Sequence, residues 1–148
     1  MAEPFVHLQV ASSCAYLQAA STPEALVAAA VAHGMTTLAL TDHQNPYGAP
    51  RFHRAAQAAG IRPIHGVEVT TTAGDALVLL VRDKTGWHNL CRLCTSANMA
   101  GEKGMPRLDA SLLGQFAAGL RRIGHDPRSC RPISRAIRRQ SSPGRGGP

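Results

Sequence analysis

Apolar and polar residues alternate through Phe5-Val6-His7-Leu8-Gln9-Val10, the two-residue period of a first strand. Ser21-Thr22-Pro23-Glu24 then offers a capping hydroxyl, a first-turn proline and an early acid. These start a helix whose apolar face is Leu26, Val27, Ala30 and Val31 and whose end is Gly34. Thr37-Leu38-Ala39-Leu40-Thr41 is short and nearly all apolar, as a strand buried on both faces requires. Asn45, Pro46 and Gly48 mark a loop, and residues 52–59 form a second helix closed by Gly60. A third strand lies within residues 61–69 and a fourth at 76–81. A helix over residues 86–97 places Trp87, Leu90, Cys91, Cys94 and Ala97 on one face, and residues 109–118 suit one more. Strands alternating with helices predict an α/β fold with a parallel sheet. In such folds reactive groups stand on loops after the carboxyl ends of strands.

Composition changes this picture only at the far end. The chain has 148 residues and a net charge of +7, yet residues 1–119 hold eight basic and eight acidic side chains. The whole excess lies in residues 120–148, with eight arginines against Asp126. From residue 121 onwards Arg, Ser, Pro and Gly dominate, a composition that cannot bury a core. The expectation is therefore a globular body, residues 1–120, and a disordered basic tail, residues 121–148. The tail allows weak, salt-sensitive contact with nucleic acid. No apolar run is long enough to span a membrane and no secretory leader opens the chain, so a cytoplasmic protein with four reduced cysteines is expected.

The strongest chemical signal is Thr41-Asp42-His43 at the end of a buried strand. A His beside a carboxylate there suits a metal ligand or a general base, and Glu68, near the end of the third strand, can join the same face. Satisfied structural roles for His43 and Glu68 stand equally open on this pattern alone. Cys91-x-x-Cys94 has half the spacing of a zinc site but no second pair, and helical core packing explains it better. His33, His53, His65 and His88 show no ligand spacing with one another.

Three ordered segments carry a resemblance: Gly34-Met35-Thr36-Thr37-Leu38-Ala39-Leu40-Thr41-Asp42-His43, Tyr47-Gly48-Ala49, and Gly60-Ile61-Arg62-Pro63-Ile64-His65-Gly66-Val67-Glu68. Together they closely resemble the PHP (polymerase and histidinol phosphatase) domain. Phe5-Val6-His7-Leu8 and Thr85-Gly86-Trp87-His88-Asn89-Leu90-Cys91-Arg92-Leu93 are similar to the branch found in bacterial DNA polymerase III alpha subunits, and the first and third motifs lean towards the replicative type. The resemblance implies a partial, distorted (β/α)7 barrel. It also implies a site that in the family holds zinc or manganese-like ions with His, Asp and Glu and directs water at a phosphoester. The implied partners are DNA and other replicase subunits.

The same resemblance tests each ligand position. Where the family's opening motif has its second and third histidines this chain has Gln9 and Ala11, the following acid is Gln18, and the His before the fourth strand is Ala76. His43 and Glu68 keep theirs, while His7 and Asp42 stand as supporting residues. Alanine has no donor atom and an amide oxygen is a poor substitute for imidazole, so no tightly bound metal cofactor is expected. The expected function is thus that of an amino-terminal PHP fragment of a replicative alpha subunit, without catalysis of its own. Two alternatives are a stand-alone metal-dependent PHP phosphoesterase and a small non-enzymatic DNA-binding protein using the Arg-rich tail. The abrupt change in composition near codon 120 further suggests a shifted reading frame.

Overall fold

The computed structural model describes residues 5–15 and 18–124. Four strands and four helices follow a short 3-10 turn, Ser13–Ala15: α1 (Pro23–Ala32), β1 (Thr37–His43), α2 (Ala49–Ala58), β2 (Arg62–Thr70), β3 (Ala76–Val81), α3 (Lys84–Ala100), α4 (Ala110–Gln115) and β4 (Leu120–Ile123). The helix starts follow from local chemistry. The Thr22 hydroxyl accepts from Ala25 N–H at 3.2 Å, the Asp83 carboxylate from Gly86 N–H at 2.8 Å and the Asp109 carboxylate from Leu112 N–H at 2.8 Å. Pro50 lies in the first turn of α2, which starts earlier than the 52–59 expected because Gly48, not Phe52, marks its entry.

The strands form one open sheet in the order β1-β2-β3-β4. β1 and β2 are parallel, with Leu40 opposite His65 and His43 opposite Glu68. β2–β3 and β3–β4 are antiparallel, which corrects the expectation of a parallel sheet throughout. The reason is length: residues 71–75 are too few for a crossover, which needs about a dozen residues, so β2 turns straight back into β3. The fold is therefore α/β with a four-stranded sheet that does not close.

Two further expectations change. Residues 5–10 form no regular strand, although Ala39 N–H donates to the His7 carbonyl at 3.0 Å and Thr41 N–H to the Val10 carbonyl at 2.8 Å. Three residues of this segment span two of β1, so the register slips and no ladder forms. The predicted tail, in turn, does not begin at residue 121. Arg121, Arg122 and Ile123 pair with Leu80, Leu79 and Val78 in β4, because Leu120 buries itself in the core and carries its neighbours into the sheet. The rest of the tail, residues 125–148, lies outside the described residues.

Helices cover one face of the sheet. One apolar cluster joins Val27 and Ala30 of α1, Leu38 and Leu40 of β1, and Phe52 and Ala56 of α2. A second joins Val67, Val69, Leu77 and Leu79 of the sheet to Leu90, Leu93, Cys94 and Ala97 of α3 and Leu113 of α4. Phe52, Leu79 and Leu90 are fully enclosed, and each such side chain contributes about 1.5–3 kcal/mol through burial. No helix among the described residues is long and apolar enough to cross a membrane.

Candidate functional site

Parallel pairing of β1 and β2 sets His43 directly opposite Glu68 at the carboxyl end of both strands. Partners across a ladder share a face, so both side chains emerge on the side away from the helices. His43 Nδ1 lies 3.7 Å from Glu68 Oε1. That nitrogen is buried and, among the described residues, has no hydrogen-bond partner. The loop before α1 brings in a third group: the Gln9 amide nitrogen donates to Glu68 Oε2 at 2.6 Å. A carboxylate only accepts, so the amide must present its N–H side to Glu68. The sequence put Gln9 and Glu68 at positions of one site without indicating that they would touch.

The remaining positions contribute little to this cluster. Ala11 is half-buried and Gln18 exposed. Ala76 is exposed at the start of β3, opposite Thr70 and two strand positions from the Glu68–Val78 pair. His7 is exposed, its ring edge-on to Phe5 with centroids 4.6 Å apart. Asp42 is only 1% exposed and faces the helix side. Its Oδ1 accepts from Ser12 N–H at 2.6 Å and its Oδ2 from the Ser12 hydroxyl at 2.8 Å. The carboxylate thus pins the amino-terminal segment against β1. Gly48 is required beside it, since a Cβ there would stand 2.5 Å from Asp42 Oδ2.

Whether these residues fit the metal ions of the family can be judged from their donors. One imidazole and one carboxylate face each other, and the third group offers that carboxylate an N–H, which a cation could not share. Among the described residues no group of three or more His, Cys, Asp and Glu is arranged to hold a metal. Several cations held close together need anionic ligands to offset their repulsion, and this set does not fit such a centre.

Two other features of the sequence have clear places. Cys94 is buried among the α3 core residues and Cys91 half-buried. Burial, and secondarily Cys91, pushes the Cys94 thiol up to about 12. His53 and His65 do come together, contrary to the absence of any spacing between them. His53 Nδ1 lies 3.1 Å from His65 Nε2. A helix residue and a strand residue follow no common period, so only the packing of α2 on β2 reveals the pair.

The family model of the PHP domain matches residues 7–132, past the expected boundary at residue 120. An error-prone DNA polymerase of Symbiobacterium thermophilum is 45% identical over 119 residues, which are 80% of this chain and 11% of that protein. The DNA polymerase III subunit alpha of Treponema pallidum is 38% identical over 130 residues, 78% of this chain and 11% of that protein. The chain thus spans about a tenth of the length of these curated relatives. Both polymerase names occur among them, with no preference for the replicative type. Among solved structures, an amidohydrolase from Chromobacterium violaceum aligns with a TM-score of 0.46 at 20% identity, over 92% of this chain and 50% of that one.

Proposed function

The chain belongs to the PHP domain family, and from that premise we propose that it is the PHP portion of an alpha-type bacterial DNA polymerase, kept for its fold and not for hydrolysis. The observation that carries this reading is the Gln9–Glu68 hydrogen bond. Where the family resemblance implies a metal-ligating imidazole, this chain has the Gln9 amide, which binds the Glu68 carboxylate directly. The cross-link between the amino-terminal segment and β2 is kept, while the chemistry that a metal would supply is given up. Ala11, Gln18 and Ala76 remove three further donors from the family pattern. His43 and Glu68 are the vestige of the site. The open sheet corresponds to the first part of the seven-stranded barrel that the family resemblance implies.

The partners that follow are DNA and the other subunits of such a polymerase. The replicative type rests on the opening Phe5–Leu8 motif and on Gly60–Glu68, while relatives of both names support the broader class. A stand-alone phosphoesterase would need the ligands that Gln9, Ala11, Gln18 and Ala76 replace.

Incubation of the chain with manganese or zinc and a chromogenic phosphodiester tests the proposal. Hydrolysis should stay at the level of metal in buffer. Hydrolysis above that level which disappears in Glu68→Gln would overturn it.

A further inference from the structure

The β2–β3 hairpin has no helix of its own, so the helix layer is interrupted above β2. Between α2 and α3 it leaves a groove of about 560 Å³, on the sheet face opposite Gln9, His43 and Glu68. Its aromatic wall is Trp87, whose ring centre lies 5.6 Å from that of His65. His53 binds His65 beside it, and Pro50 adds apolar surface. His65 Nδ1 is buried and has no hydrogen-bond partner among the described residues.

The charges around the groove are unbalanced. Arg54 of α2 and Lys84 at the start of α3 both line it. Among the described residues neither is in an ion pair. The carboxylate present, Asp83, gives Oδ1 to the Gly86 N–H as the cap of α3. An aromatic wall, a few ring nitrogens and two free cations together match one chemistry, a planar heterocycle carrying an anion.

We propose that this groove binds a nucleotide, with the base against the Trp87 indole and the phosphate held by Arg54 and Lys84. Stacking on an indole tolerates any base, and the two cations supply a salt-sensitive hold on phosphate. A free nucleotide and one residue of a single strand share this chemistry.

Trp87 is the sole tryptophan of the chain, so its fluorescence reports the groove directly. The 148-residue chain should be titrated with dAMP, a twelve-residue oligothymidylate, adenosine and inorganic phosphate. Saturable quenching by dAMP or by the oligonucleotide is expected, with adenosine weaker by about tenfold and phosphate alone giving no quenching. Tight binding of dAMP itself marks a free nucleotide. Binding confined to the oligonucleotide, and falling steeply with salt, marks a strand. The double variant Arg54→Glu, Lys84→Glu should lose about tenfold in affinity with an unchanged circular dichroism spectrum, and Arg54→Lys, Lys84→Arg should retain binding. No saturable quenching by either nucleotide form, quenching by phosphate alone, or an unchanged affinity in the charge-reversed variant would overturn the proposal.

Discussion

The residues that matter most here are polar groups that found unexpected partners. That His43 and Glu68 meet was legible, because both close adjacent buried strands and a shared register puts them face to face. The use of Asp42 was not legible. Its partner Ser12 lies 30 residues away in a loop, where no periodicity operates. The His53–His65 pair escaped because a residue of helix α2 and one of strand β2 share no period, and it has a measurable consequence. Burial first, and the nearby His53 second, hold His65 below its ordinary value of 6.5. As pH falls, the unfolded chain takes up this proton before the folded one does, so folding becomes less favourable. The contribution of His65 is whole above pH 6.5 and is lost progressively below it. A urea midpoint should therefore be lower at about pH 5.5 than at about pH 7.5, and in His65→Leu the difference should shrink. An equal drop in that variant would assign the effect to other groups.

At the scale of elements, the helices were more legible than the sheet. Side chains adjacent in sequence cap α1, α3 and α4: Thr22 and Asp109 mark starts the sequence placed, while Asp83 starts α3 at Lys84, two residues before the expected 86. Strand direction is not encoded in alternation, and only the shortness of residues 71–75 could have revealed the hairpin. The end of β4 was obscured by its two arginines, which look like tail and act as strand. A pair of glycines joins these elements. Gly119 has φ +73° and leads into β4, and a Cβ there would press on the backbone nitrogen of Gly86 and stand 2.5 Å from Asp83 Oδ1. Gly86 in turn lies in the first turn of α3, so the two backbones touch where a capping carboxylate also sits. Gly119→Ala combines a strained dihedral with a steric conflict and should cost about 2–4 kcal/mol, measured by urea unfolding. A loss under about 0.5 kcal/mol would mean that the turn can move away.

Across the whole molecule the sheet remains open. The amino-terminal segment shields β1 through two backbone bonds. Among the described residues β4 pairs only with β3, which leaves its other edge unpaired. Edges of that kind recruit other chains unless charge discourages them, and Arg121 and Arg122 place two cations in a four-residue strand. Arg121→Val with Arg122→Val should raise light scattering and shift the chain towards larger species in size-exclusion chromatography, with the greatest effect at low salt. An unchanged elution profile would show that the edge is protected in another way.

The two apolar clusters described above have a further consequence. They adjoin at His65, whose ring meets Phe52 of one edge-on at 5.7 Å and lies 5.6 Å from Trp87, which packs against the other. The joint between the halves is thus an ionisable side chain beside a groove and not continuous hydrocarbon. Such a molecule should open as two cooperative units that share one sheet, one ahead of the other. Acid or warmth would then be felt first as a loss of communication between the halves, with amide protons around Leu38 and Leu40 escaping on a different schedule from those around Leu77 and Leu79.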